Sequence, residues 1–165
     1  MKHSALIGLG SNLHDPVKQV LRAMQAIGKL PGIQLVVRSG LYSSAPVGFL
    51  EQPDFVNAVV KIETTLQPLA LLAALLALEQ ENGRTREFQN SPRTLDLDVL
   101  LYDDLQHHEH GLTIPHPQMH KRAFVLQPLL EVTPDCVIPG IGNASEALQR
   151  CRDQQLQRIE TGASA

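Results

Sequence analysis

Two aspartates that alternate with leucines form the strongest chemical feature of the sequence. Asp96 and Asp98 lie in the segment 94–102, where Leu95 and Leu97 occupy the alternate positions. In a β-strand, residues two apart share a face, with Cα atoms about 6.6 Å apart. Carboxylates at this spacing suit Mg²⁺, which takes one or two of them and completes its shell with water and phosphate oxygens. A solvated acidic face on an edge strand would give the same pattern, so the pair alone leaves both interpretations open.

Basic side chains cluster along the sequence around this pair. They are Arg84, Arg86 and Arg93 on one side, and His116, His120, Lys121 and Arg122 on the other. Carboxylates mixed with cations suit a metal–nucleoside triphosphate, whose negative charge needs both a metal and arginines. His116 stands between two prolines that stiffen its backbone, and it could donate to a phosphate oxygen or carry a proton. A structural loop histidine fits the same pattern.

Familiar nucleotide-binding motifs are missing from the sequence. There is no GxxxxGK[ST], and the pattern that begins at Gly8 and Gly10 lacks the third glycine of GxGxxG. A P-loop and a dinucleotide-binding fingerprint are therefore excluded. The run 107–110 contains three histidines and could hold a transition metal, but such runs are more typical of solvated loops.

The elements that must position these residues follow from the apolar periodicity. Strands are predicted over 5–9, over 33–37 with a continuation at 41–42, over 55–62 and over 94–102. Helices are predicted from Asp15, as N-cap, to Gly28 and over 68–79. The order β-α-β-β-α-β predicts an α+β fold, a ferredoxin-like sandwich. C-terminal additions follow, with helices predicted over 122–130 and 144–159.

Composition limits the possible functions. The 165 residues are 43% hydrophobic and 19% charged, which predicts one domain over 1–165. A net charge of −3 and an aromatic content of 4% argue against nucleic-acid binding and against a polybasic membrane-surface protein. The first apolar run is too short for a signal peptide or a membrane span, so we expect a cytoplasmic protein without a membrane partner. We also expect a monomer whose two cysteines are free thiols.

Four blocks in order, at residues 10–13, 46–57, 83–98 and 115–124, resemble the 6-hydroxymethyl-7,8-dihydropterin pyrophosphokinase family. The third block is the most specific of the four. The resemblance implies a ferredoxin-like fold and an ATP-dependent diphosphotransferase of folate biosynthesis. Its substrates would be ATP and the reduced pterin, and its products AMP and the pterin diphosphate.

The same resemblance implies roles for individual residues. Asp96 and Asp98 would hold two Mg²⁺ ions, and Arg93 and His116 would join them in catalysis. Contacts to ATP as co-substrate would come from Arg84, Arg86, Arg93, His116 and Arg122. The pterin pocket would be lined by Ser44, Val47, Phe55, Asn57 and Phe124.

Two other classes of function remain open at this stage. Paired aspartates with arginine and histidine nearby also serve metal-dependent phosphoesterases and nucleases. A regulatory or nucleic-acid-binding module is the non-enzymatic alternative, since the ferredoxin-like fold hosts many functions.

Overall fold

The computed structural model describes residues 2–12, 15–44, 55–82, 95–109, 111–154 and 156–159. The helices are α1 (Pro16–Gly28), α2 (Pro68–Asn82), α3 (Ala123–Val132) and α4 (Ala144–Gln149), and a 3-10 turn spans Met119–Lys121. The longer strands are β1 (His3–Ser11), β2 (Ile33–Arg38), β3 (Leu41–Ser44), β4 (Phe55–Thr64) and β5 (Leu95–Tyr102). The short strands are β6 (His107–Glu109), β7 (Leu112–Ile114), β8 (Val137–Ile138), β9 (Gly142–Asn143) and β10 (Gln157–Ile159).

The main sheet, as far as the described residues show it, is antiparallel and has the order β10-β3-β4-β1-β5. Strand β2 pairs with the same side of β4 as β3 does, further along the strand. Strands β2 and β3 therefore share one position in the sheet. The resulting β-α-β-β-α-β core agrees with the α+β, ferredoxin-like fold that the sequence predicted.

The two faces of the sheet are covered differently. On one face, α1 and α2 pack over the sheet and bury side chains such as Ile7 and Val60 completely. On the other face, α3 and α4 cover residues such as Leu6, Val59 and Leu100. Beyond these three residues, the same face carries glycines, polar side chains and Phe55. The C-terminal additions thus close only part of this face.

One detail of the predicted secondary structure is wrong, and another is confirmed only in position. Asp15 is the N-cap residue of α1, as predicted, but it has φ 53° and ψ 61°, in the left-handed region, and its side chain makes no capping hydrogen bond to the helix. The helix predicted over 144–159 ends at Gln149, and Gln157–Ile159 instead forms β10 against β3. Its apolar spacing was compatible with a helix, but pairing with an open strand edge satisfies the backbone groups of this segment instead.

The bounds of the other predicted helices and strands differ from the observed bounds by at most three residues where the chain is described. Cys136 and Cys151 are both buried free thiols. Among the described residues, no helix is both long enough and apolar enough to cross a bilayer.

Candidate active site

A cavity of about 800 Å³ opens on the partly covered face of the sheet. It brings together every predicted site residue that the structure describes. These are Ser44, Phe55, Asn57, Asp96, Asp98, His116, Arg122 and Phe124. Four further predicted residues, Val47, Arg84, Arg86 and Arg93, lie outside the described residues.

The floor of the cavity is strand β1, where Gly8 and Gly10 leave the sheet bare. Gly10 is in register with Asn57 of β4 on one side and with Asp96 of β5 on the other. A Cβ atom at Gly10 would lie 2.9 Å from Nδ2 of Asn57, a distance that real side chains do not tolerate. A side chain here would therefore displace the amide of Asn57.

The acidic wall is β5, where Leu95 and Leu97 are buried in the core while Asp96 and Asp98 face the cavity. The predicted alternation is thus confirmed. Burial and the neighbouring Asp96 raise the pKa of Asp98 to about 6, while Arg122 acts in the opposite direction. Because the charge of Asp96 disfavours ionisation of Asp98, this strand is suited to accept positive charge.

A buried glutamate that sequence analysis overlooked supports this wall. Glu79 of α2 is 5% exposed, and its Oε2 accepts a hydrogen bond of 2.8 Å from the backbone N–H of Leu97. Leu97 lies between the two aspartates, on a strand that ends the sheet in the part of the chain described. The signal was present in the sequence, because Glu79 follows the buried Leu75 by four residues and so belongs to the apolar face of α2.

A second wall combines polar and aromatic side chains. The hydroxyl of Ser44 donates to Oδ1 of Asn57 at 2.8 Å, and both residues are buried. This bond identifies Oδ1 as the acceptor end of the Asn57 amide and Nδ2 as its donor end. Phe55, in register with Ser44, lines the cavity beside them. The wall therefore offers an oriented amide next to an aromatic ring.

The third wall of the cavity, the cationic wall, carries Arg122 and Lys121 beside His116. The N–H of Gln118 donates to Nδ1 of His116 at 3.1 Å, so the neutral imidazole carries its proton on Nε2. Burial and Arg122 lower the pKa of His116, which favours this neutral form. The guanidinium carbon of Arg122 lies 5.6 Å from the ring centroid of Phe124 in a cation–π contact. Lys121 adds a further cation at the cavity.

The described donors for a metal are few. No group of three or more His, Cys, Asp or Glu side chains that could hold a metal occurs in the described ranges. The run 107–109 forms β6, where Nδ1 of His108 is hydrogen-bonded to Oγ1 of Thr113 at 2.8 Å. His110, the third histidine of the run predicted over 107–110, lies outside the described residues.

Sequence comparisons with known proteins identify the family of the chain. Residues 6–134 match the family model described as 7,8-dihydro-6-hydroxymethylpterin-pyrophosphokinase (HPPK). The chain is 45% identical over 156 residues to the 2-amino-4-hydroxy-6-hydroxymethyldihydropteridine pyrophosphokinase of Haemophilus influenzae, covering 94% of this chain and 98% of that protein. It is 43% identical over 153 residues to the Pseudomonas aeruginosa protein of the same name, covering 93% and 94%.

Solved structures show the same fold. A crystal structure of HPPK-DHPS in complex with substrates superposes with a TM-score of 0.69 at 13% identity, covering 91% of this chain and 43% of that chain. The Plasmodium falciparum HPPK-DHPS with pteroate gives a TM-score of 0.73 at 12% identity, covering 91% of this chain and 42% of that chain. This chain therefore spans less than half of those longer chains.

The fold and the site define an α+β enzyme whose cavity joins an acidic strand to a cationic wall. The chain belongs to the 7,8-dihydro-6-hydroxymethylpterin-pyrophosphokinase family. The predicted family, the ferredoxin-like fold and the class of ATP-dependent pyrophosphokinase are thereby confirmed.

Proposed function

We propose that this chain transfers a diphosphoryl group from ATP to 6-hydroxymethyl-7,8-dihydropterin in folate biosynthesis. One observation carries the proposal. Across the glycine floor of β1, the oriented amide of Asn57 stands on one side and the carboxyl groups of Asp96 and Asp98 on the other. A small heterocycle with an alcohol side arm could thus lie on the first side and present its oxygen to the second.

The pterin would bind at the wall formed by Ser44 and Asn57. The edge of a pterin carries both donors and acceptors, and an amide supplies the complementary groups. Phe55 and Phe124 offer ring faces for stacking on the planar heterocycle. Val47, which lies outside the described residues, stays a predicted member of this pocket.

Asp96 and Asp98 would hold two Mg²⁺ ions with the phosphates of ATP. The donor set fits this ion, because two hard carboxylates leave the remaining positions to water and phosphate oxygens. Because burial and the charge of Asp96 raise the pKa of Asp98, a cation bound at this strand would favour the ionised form of that carboxyl group. When bound, Mg²⁺ would neutralise triphosphate charge and lower the pKa of the pterin hydroxyl.

ATP would bind along the cationic wall. Arg122 can pair with phosphate oxygens, and Nε2–H of neutral His116 can donate to one. Arg84, Arg86 and Arg93 lie outside the described residues and stay predicted ATP contacts, with Arg93 predicted to assist catalysis. These groups bind and orient the triphosphate for attack at its β-phosphorus.

The proposed reaction breaks one P–O bond and forms another. The hydroxymethyl oxygen bonds to the β-phosphorus, the bond from that phosphorus to the α,β-bridging oxygen breaks, and AMP departs with the electron pair. The hydroxyl proton is released.

The expectations of a cytoplasmic location, a monomeric state and no nucleic-acid or membrane partner rest on the sequence and stay predictions.

A product assay tests this proposal against its alternatives. The protein is incubated with Mg-ATP and the reduced pterin, and the nucleotides and pterins are separated by chromatography. We expect AMP and pterin diphosphate in equal amounts. ADP as the sole nucleotide product would reject diphosphoryl transfer. Release of inorganic phosphate that does not depend on the pterin would favour a phosphoesterase, and binding of Mg-ATP without turnover would favour a regulatory module.

A further inference from the structure

The N-terminus of α3 is capped from a distant part of the chain. The N-cap residue is Arg122, whose side chain makes no capping hydrogen bond to α3 within the described structure. Instead, the N–H of Ala123 donates to Oε1 of Gln154 at 2.9 Å. The first amides of a helix need an acceptor, and Ser, Thr, Asp or Asn at the N-cap usually supplies it. Here a residue 31 positions away supplies it.

The other end of the same amide holds the preceding residue. Nε2 of Gln154 donates to the carbonyl oxygen of Lys121 at 2.8 Å. Gln154 therefore binds the backbone on both sides of Arg122. The two bonds also fix the orientation of the amide, because only one assignment of oxygen and nitrogen satisfies an N–H and a carbonyl together.

Gln154 is itself held in place. The backbone N–H of Gln154 donates to the carbonyl oxygen of Cys151. Cys151 is 4% exposed and packs in the core beneath α3 and α4. After Gln154 the chain continues into β10, which pairs with β3. There Arg158 forms an ion pair of 3.3 Å with Glu131 of α3. The segment is thus anchored on both sides of Gln154.

Capping of α3 from outside the helix allows an arginine to occupy the N-cap position 122. A small capping residue at position 122 would close the helix end but would remove the guanidinium from the cavity. A cation at a helix N-terminus is also unfavourable for the helix dipole, so the arginine needs support from outside the helix. Gln154 separates the two tasks, since it caps α3 and leaves the side chain of Arg122 at the cavity.

We propose that Gln154 is a positioning residue for Arg122, acting through the backbone of Lys121 and Ala123. The inference rests on the proposed function for the identity of the ligand that Arg122 meets. The residues that match the family model end at 134, before this segment begins. Gln154 also lines the cavity, but its role as a positioning residue is exerted through its two bonds to the backbone on either side of Arg122.

A double-mutant cycle tests the inference through the affinity for a non-hydrolysable ATP analogue with Mg²⁺. In the parent, Gln154→Ala should weaken this affinity roughly tenfold, as expected for misplacing a charge-assisted contact. In an Arg122→Ala background, the same change should have less than about a twofold effect, because residues that act through one another are not additive. In the parent, Gln154→Ala should lower the pterin affinity less than it lowers the analogue affinity.

A matched control and a second variant keep the test decisive. Gln157→Ala removes an exposed amide from β10 and should leave the analogue affinity at the parental value. If Gln154→Ala does not fold at the assay temperature, Gln154→Glu replaces it. This variant retains the acceptor for Ala123 but loses the donor to Lys121, so its analogue affinity should also fall.

Two results would overturn the inference. One is parental analogue affinity in the Gln154 variants, and the other is an equal loss with and without Arg122, which would indicate an independent contact. A parent that forms no AMP would instead overturn the proposed function. Because the cycle measures binding, the two failures are distinguishable.

Discussion

Asn57 and Asp96 lie at the same level of the sheet, on the two sides of Gly10. Each is in register with that glycine, one through β4 and the other through β5. Their backbones are therefore two strand spacings apart, about 9.6 Å. The register of three strands thus sets the distance between the proposed pterin-binding amide and the proposed metal-binding carboxylate.

Adding one methyl group at the centre of this arrangement should disturb pterin binding first. In Gly10→Ala the new Cβ would come within 2.9 Å of Nδ2 of Asn57 and force that amide away from Ser44. We expect the KM for the pterin to rise about tenfold or more, because a buried hydrogen bond is lost and the amide is misplaced. Steady-state kinetics with each substrate varied in turn would measure this.

Gly28→Ala is the matched control for that variant. A Cβ at Gly28 would meet Leu35 at an ordinary contact distance of 3.4 Å, far from the cavity. Its pterin KM should equal that of the parent. An unchanged pterin KM in Gly10→Ala would show that Gly10 does not set the position of Asn57.

Loss of either cavity aspartate should abolish most turnover while leaving the fold intact. Asp96→Ala and Asp98→Ala should each lower kcat by several orders of magnitude, as expected when a charge-stabilising metal is displaced. The exposed Asp104, just after β5, provides the control as Asp104→Ala. AMP formation in saturating Mg-ATP and pterin is the measurement. A folded variant with parental kcat would reject that aspartate as an essential ligand.

The raised pKa of Asp98 predicts a specific dependence of stability on pH. A carboxyl group with a pKa near 3.8 when unfolded and about 6 when folded favours folding while it is protonated. This contribution is complete below about pH 4 and is lost as the pH rises through 6. Two pKa units set an upper limit of about 3 kcal/mol, which solvent screening reduces.

Asp98→Asn should lack this pH dependence. Urea unfolding in EDTA between pH 4 and 7 should show the parent losing stability relative to the variant as the pH rises. Added Mg²⁺ at pH 7 should stabilise the parent more than the variant, since a bound cation favours the ionised carboxylate. Parallel pH profiles for the two proteins would contradict the assignment to Asp98.

Glu79 should stabilise the fold as the acceptor of the hydrogen bond from the N–H of Leu97. Glu79→Ala leaves the N–H of Leu97 without this partner at a buried site and should lower the free energy of unfolding by about 1–3 kcal/mol. Glu79→Gln keeps an acceptor oxygen and should retain more of the stability. Glu81→Ala, on the exposed side of α2, is the control. Chemical denaturation measures all three, and equal losses at Glu79 and Glu81 would refute the role.

The sequence predicted the core of the fold and the acidic wall because both depend on local periodicity. Alternation in β5 requires only a period of two, and α1 requires only apolar residues at helical spacing. The same reasoning gave a wrong prediction for the segment 144–159. Its strand β10 forms by pairing with β3, more than a hundred residues earlier, and no local pattern reports such a partner.

The sequence predicted cavity residues that act through their own side chains. It did not predict the roles of residues that act on a distant backbone or through the space that they leave. Asp98 and Arg122 present charged groups to the cavity and could be identified from residue type. Gln154 acts on the backbone of a distant turn, and Gly10 acts through the space it leaves. Neither effect has a signature in composition or spacing.

Capping of α3 by Gln154 has a consequence for synthesis on the ribosome. The chain emerges at about 5–20 residues per second, and strands β1 to β5 and helix α3 leave the exit tunnel before Gln154 does. During that interval Arg122 lacks the two contacts that flank it. The nascent domain can therefore bury most of its core before its cationic wall is complete, so folding of the core and assembly of the proposed ATP site become separate events in time.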